Sequence, residues 1–317
     1  MGGEKDEPYP ILADTAQIAP CSTRNYISLS QAYHDCTDIA YDLDTLLNQQ
    51  PAKLLLGIGS LDQSLNGGLQ DEFLIIYGLA GRGKTDFLVT ALSALAENRL
   101  VLVASYELGR FQIIRRLLCC ISARIDAIFA LSENELFRNS ELDTLKQELL
   151  SMTKQEFEKI ASNIIILDGF YKDGSALMPH SIQELRKAVN VISEQEKQAP
   201  VLLVDYIQAI PVDNVSLLST EAIDLTSRNL AAIAHTEGAT VIAASSVAKN
   251  SEVRGSSHLL HDADIILKLE LDCLRGDECN ALKQDVRSLL FTVEKNRNGC
   301  AGQQINVNYR PAVHRMY

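Results

Sequence analysis

The sequence predicts an α/β fold: a mostly parallel central sheet covered by helices on both faces, a terminal β-hairpin and a short N-terminal helical extension. Three observations predict it. From residue 54 onward, apolar runs alternate with helical stretches, the pattern of a parallel sheet buried on both faces. One strand-to-helix junction carries the loop Gly78-Leu79-Ala80-Gly81-Arg82-Gly83-Lys84-Thr85, which satisfies G-x-x-x-x-G-K-[ST]. Near the C-terminus, residues 288–294 and 303–309 read as strands joined by a polar turn.

Taken in order, residues 1–26 look irregular, with Pro8, Pro10 and Pro20. Over 27–50, Leu29, Tyr33, Cys36, Ile39, Leu43 and Leu46 recur at helical spacing on one face, and Pro51 ends the pattern. That amphipathic helix packs either on its own domain or on a neighbouring subunit. Strand candidates follow at 73–77, 100–105, 163–167, 201–205, 239–244 and 263–269. Helical stretches at 84–96, 109–122, 181–196 and 220–236 separate most of them. Residues 131–160 are charged and helical, with Thr153-x-x-Glu156 read as a capping box. The organisation expected is an extension over 1–52 and one nucleotide-binding domain over 53–317.

Composition narrows the function. Of 317 residues, 46% are apolar, enough for a large core. No apolar run reaches the ~18 residues needed to span a membrane, and the polar, acidic residues 1–10 do not resemble a secretory signal. The seven cysteines form no C-x-x-C pair, so reduced thiols and a cytoplasmic location are expected. His258 and His261 lack an acidic or cysteine partner at ligand spacing, so no metal role is assigned to them. The net charge of −12 removes composition as an argument for nucleic-acid binding without excluding it, because binding depends on local patches.

The glycine-rich loop is the strongest functional signal. It follows the apolar run Phe73 to Tyr77 and opens a helix. Gly78, Gly81 and Gly83, with Arg82 between them, let backbone N–H groups turn inward around phosphate oxygens, and the helix start adds its positive dipole end. Lys84 is expected at the β- and γ-phosphates of ATP, and the Thr85 hydroxyl on Mg²⁺. The bland alternative is a glycine-rich turn. Val201-Leu202-Leu203-Val204-Asp205 is an apolar strand ending in a carboxylate, the arrangement that holds a Mg²⁺ water shell. Glu107 ends the segment that begins at Val101, at the sheet edge where ligands bind. It either orients an attacking water or is simply favoured by a helix start.

These boxes carry a resemblance to the RecA-like ATPase domain of DnaB-type replicative helicases, from about Leu56 to about Arg310. Gly57-Ile58-Gly59-Ser60-Leu61-Asp62 and Asn66-Gly67-Gly68-Leu69 resemble that family's entry into its first core strand. Ser105-Tyr106-Glu107 resembles its Ser-Leu-Glu, and Asp205-Tyr206-Ile207-Gln208 its Asp-Tyr-Leu-Gln. His261-Asp262-Ala263-Asp264 resembles its Gln-Asp-Ala-Asp, and Lys295-Asn296-Arg297-Asn298-Gly299 its Lys-x-Arg-x-Gly. The resemblance implies a RecA-like phosphate-loop NTPase that hydrolyses ATP with Mg²⁺. It implies Glu107 as the water-activating group, and Lys295 and Arg297 reaching a γ-phosphate bound by the adjacent subunit. It implies self-assembly into a ring, a hexamer in that family, acting on single-stranded DNA. It also gives the 27–50 helix a linker role on the neighbouring subunit. Without the resemblance, Lys295 and Arg297 read as a solvated hairpin tip.

The sequence departs from the family at four places. Only about fifty residues precede the core, where the family has a helical collar domain. Ser245-Ser246 stands where the family has Ser-Gln. The segment Val247 to Ser257 offers only Lys249 and Arg254 to DNA, and Pro211 to Ser219 has no basic residue, although a groove that tracks single strands normally carries positive charge. Two further readings therefore stay open. One is a non-translocating RecA-like ATPase, similar to clock or recombination ATPases, that uses nucleotide to switch assembly. The other is a degenerate adaptor that binds ATP without turnover.

Overall fold

The computed structural model describes residues 52–168, 180–212, 219–246, 257–273 and 277–317. The expected 27–50 helix, Lys249 and Arg254 lie outside the described residues.

Among the described residues nine strands form one sheet in the order β3-β2-β4-β5-β1-β6-β7-β8-β9. The strands are β1 (Phe73–Gly78), β2 (Val101–Ser105), β3 (Ile164–Leu167), β4 (Val201–Asp205), β5 (Thr240–Ser246), β6 (Ile265–Leu271), β7 (Arg287–Asn296), β8 (Gln304–Arg310) and β9 (Arg315–Met316). The six strands from β3 to β6 are mutually parallel, and β7, β8 and β9 add antiparallel pairs at one side. The expected parallel sheet and terminal hairpin are therefore present.

Burial follows from the strand sequences. β1, β2 and β4 are buried at every position, because helices cover both faces. Leu74 and Ile76 point into one core with Phe87 and Leu92 of α2 (Lys84–Leu95) and Leu117 and Ile121 of α3 (Arg110–Ile125). Phe73, Ile75 and Tyr77 point into the other, with Leu185 and Val189 of α6 (Ile182–Glu196) and Leu230 and Ile233 of α7 (Ser219–His235). The alternation is the strand period of two. In β8 only every second residue is buried, as expected where one face stays open to water.

Between α3 and β3 the charged segment is two helices, α4 (Glu133–Phe137) and α5 (Thr144–Ala161). The capping box expected at Thr153 does not exist. Thr153 is buried inside α5 and donates its hydroxyl to the Leu149 carbonyl at 2.7 Å. The N-terminal signals lie earlier. Glu135 reaches back to the Ser132 N–H at 2.9 Å, and Asp143 accepts from the Lys146 N–H at 2.9 Å. The short helices α1 (Gly59–Ser64), α8 (Ser257–Asp262) and α9 (Glu278–Ala281) complete the described elements with three 3-10 turns, Asn139–Glu141, Ile207–Ala209 and Pro311–Val313.

Candidate active site

Parallel strands end on the same edge of the sheet, so the C-terminal ends of β1, β2, β4 and β5 lie together there. A cleft of about 550 Å³ opens at this edge, lined by residues at or just beyond all four strand ends, including Gly81, Gly83, Lys84, Thr85, Glu107, Asp205 and Ser246. Residues from Ala80 to Ser246 in sequence thus meet at one place.

The loop between β1 and α2 has the backbone its glycines permit. Gly81 and Gly83 have φ of 75° and 95°, a region that side-chain-bearing residues rarely adopt. At Gly83 a Cβ would also come within 2.9 Å of the Met316 methyl, so space and backbone both exclude a larger residue. The Lys84 ammonium donates to the carbonyls of Gly78 and Leu79 at 2.8 and 3.0 Å. Burial holds its pKa below the usual lysine value, against the pull of Asp205 and Glu107.

Thr85 Oγ1 donates to Asp205 Oδ2 at 2.9 Å. Burial pushes the Asp205 carboxyl up to about 6; the Thr85 hydrogen bond opposes the rise and the Glu107 charge adds to it. A hydroxyl and a buried carboxylate side by side are hard oxygen donors suited to Mg²⁺. A carboxylate that desolvation disfavours is also one that a nearby cation would stabilise. These residues fit the ion, and Thr85 and Asp205 could hold it. Glu107 is exposed on the cleft wall after β2. Ser246 lines the cleft at the end of β5. Gln208 donates to Ser245 Oγ at 2.8 Å and accepts from the Ser246 N–H at 3.2 Å, which ties the Asp205 box to that strand end.

Other predicted residues lie elsewhere. The Arg82 side chain is turned out of the cleft and pairs with Glu278, so position 82 can meet a phosphate only through its backbone. Lys295 and Arg297 sit at the opposite sheet edge. The Arg297 N–H bonds the Asp264 carbonyl, and the Asp264 N–H bonds the carbonyl of Phe73, where β1 begins. Gly78, where the phosphate loop begins, is at the far end of that strand, about 17 Å away at ~3.3 Å per residue. Arg297 pairs with Asp264 at 2.9 Å and donates to the His261 carbonyl at 3.0 Å. Lys295 donates to the Leu260 and His261 carbonyls at 3.0 and 2.7 Å. Carbonyls at the end of α8 favour cations.

The sequence reading missed one wall of the cleft. Asp86, Arg116, Tyr309, Pro311 and His314 line it. Asp86 accepts from Arg116 at 3.1 Å, from His314 at 3.0 Å and from the Tyr309 hydroxyl. A lone carboxylate in the apolar helix Asp86-Phe87-Leu88-Val89 was the available signal. Nothing local in the sequence marks Tyr309 or His314, because β8 and β9 bring them back to α2 only on folding.

Fold and cleft together define a phosphate-loop protein of the RecA-like class. The family profile described as "DnaB-like helicase C terminal domain" matches residues 54–317, and the chain belongs to that family. It is 24% identical over 306 residues to "Replicative DNA helicase DnaB" of Mycoplasma genitalium, covering 86% of this chain and 60% of that protein. It is 29% identical over 263 residues to the protein of the same name from Buchnera aphidicola subsp. Schizaphis graminum, covering 78% and 52%. The chain thus spans between about half and three fifths of the length of these curated relatives. Among solved structures, "The Structure Of A DnaB-Like Replicative Helicase And Its Interactions With Primase" superposes with a TM-score of 0.73 at 18% identity, over 88% of this chain and 67% of that one. A KaiC-like protein from Pyrococcus horikoshii superposes at 0.53 and 15% identity, over 84% and 97%. These two likenesses show the fold. Among the described residues no helix is long and apolar enough to cross a membrane.

Proposed function

We propose that residues 53–317 form the ATPase domain of a ring-forming, DnaB-type motor that couples ATP hydrolysis to binding and movement on single-stranded DNA, with residues 1–52 as its linker extension. The observation that carries this reading is the separation of the cations from the cleft. Lys84, Thr85, Glu107 and Asp205 share one edge of the sheet, and Lys295 and Arg297 occupy the other. One chain cannot bring both sets to the same phosphate. Stacking identical chains head to tail would, and a repeated head-to-tail interface closes into a ring when the rotation between copies divides a full turn.

In this mechanism the amides of Gly78, Gly81, Arg82 and Gly83 cradle the phosphates and Lys84 neutralises the β/γ oxygens. Magnesium, held by Thr85 and Asp205, would supply further positive charge at the phosphates. Glu107 orients the attacking water and accepts its proton. Lys295 and Arg297 of a neighbouring chain stabilise the charge of the transferring phosphoryl group, a contribution of about 10³–10⁵ in rate for such a finger. Lys249 and Arg254 are the DNA contacts in this reading.

A second reading, a non-translocating ATPase that uses nucleotide to switch assembly, is favoured by Ser246. It lines the cleft where the family's pattern has the longer Gln, and a shorter side chain weakens sensing of the γ-phosphate. ATPase turnover measured with and without single-stranded DNA, beside sizing with ATP, separates the readings. The first requires DNA-stimulated turnover in a ring, lost in Lys249→Ala/Arg254→Ala. Nucleotide-driven assembly without stimulation selects the second, and binding without turnover contradicts both.

A further inference from the structure

We propose that Arg82 is a positioning residue that latches the phosphate loop to the β6–β7 connection through Glu278. The proposal deepens the nucleotide-binding reading above and rests on it for its effect on ATP.

Arg82 stands inside the phosphate loop, yet its side chain is only 8% exposed. It lines a separate cavity of about 80 Å³ with Tyr77, Gly78, Lys268 and Glu278. One terminal guanidinium nitrogen pairs with Glu278; the other, Nη1, is buried with no hydrogen-bond partner among the described residues. Burying a guanidinium forfeits hydration, and the orientation is tenable only with a counterion in place. Glu278 supplies it from the first turn of α9.

The latch completes a brace along one side of the loop. At Gly78 a Cβ would sit 2.4 Å from the Leu269 carbonyl oxygen, so the loop begins in direct contact with β6. The Tyr77 hydroxyl donates to Glu294 of β7 at 2.6 Å. Arg82 then fixes the loop's far end to the segment joining those two strands. Without Glu278 the guanidinium turns toward water and drags the neighbouring Gly81 and Gly83 amides, which form the cradle.

The test is a double-mutant cycle on the full chain with Arg82→Ala, Glu278→Ala and both together, read as affinity for a fluorescent non-hydrolysable ATP analogue. Glu278 is 54% exposed, so solvent screens the pair, and each single change is expected to weaken binding by about three- to fivefold. The double variant should be no weaker than the worse single variant. Equal affinity of Glu278→Ala and wild type, or additive losses, overturns the latch. A second readout needs no nucleotide. In Glu278→Gln, which keeps side-chain volume, amides 81–84 should exchange hydrogen faster than in wild type. Unchanged exchange overturns the latch even if the wild type binds no ATP, an outcome that would separately defeat the nucleotide reading.

Discussion

At Asp205 burial and chemistry pull in opposite directions. Its carboxyl is lifted from 3.8 to about 6 by desolvation, so the folded state holds its proton more tightly than the unfolded state does. A raised pKa contributes stability that is full below the unfolded value and is lost as pH rises through the folded one. At pH 7 the ionised Asp205 therefore costs of order 1–3 kcal/mol. Asp205→Asn keeps an acceptor for Thr85 and should be the more stable protein at pH 7, with the gap closing toward pH 4. Urea midpoints of both proteins at the two pH values check this; a constant gap would contradict it. The same substitution should weaken Mg²⁺-dependent nucleotide binding, since it removes the charge that would hold the ion under the proposed function. At neighbouring positions the expectations differ in kind. Lys84→Ala should abolish ATP binding or turnover. Glu107→Gln should retain binding and lose hydrolysis by about 10²–10⁴-fold. Wild-type turnover in Glu107→Gln would remove that residue from its role.

Elements set where these residues meet. β1 is braced on one side by β5 and on the other by β6, and the closeness of the second contact is recorded at Gly78. Gly78→Ala should cost about 1–3 kcal/mol by overpacking against the Leu269 backbone. Thermal unfolding of the variant would show it, and an unchanged midpoint would mean that β6 yields. The strands that build this edge were legible in the sequence because each is an apolar run between punctuating glycines, polar residues or helical stretches. Their ends were less so: β6 begins at Ile265 rather than Ala263, and β5 runs on to Ser246. Helix starts were legible where the helical pattern itself begins, as in the stretch 181–196, where Ser181 accepts from the Glu184 N–H at 3.3 Å. They were misread at Thr153, where the same residue types sit inside a helix and bond backward along it. The phosphate loop, Glu107 and Asp205 could be found because each ends a strand in a recognisable box. The Asp86, Tyr309 and His314 wall could not, because it joins residues more than two hundred positions apart.

At the scale of the whole molecule, the proposed assembly follows from what the two edges of the sheet carry. One edge carries the phosphate loop and its carboxylates. The opposite edge carries Lys295 and Arg297, held by Asp264 and the end of α8. The family to which the chain belongs was legible from ordered boxes alone, since Gly78–Thr85, Glu107, Asp205 and Lys295–Gly299 fall in the family's order. Their sharing between chains is a spatial inference, and mixing two inactive proteins tests it. Lys84→Ala has a damaged loop and an intact finger, whereas Arg297→Ala has an intact loop and a damaged finger. In rings formed from equal amounts, about a quarter of interfaces pair an intact loop with an intact finger. ATPase activity of the mixture should therefore rise well above either protein alone, toward about a quarter of the wild-type rate if sites act independently. A mixture no more active than its components, with sizing showing that mixed rings had formed, would contradict the shared site.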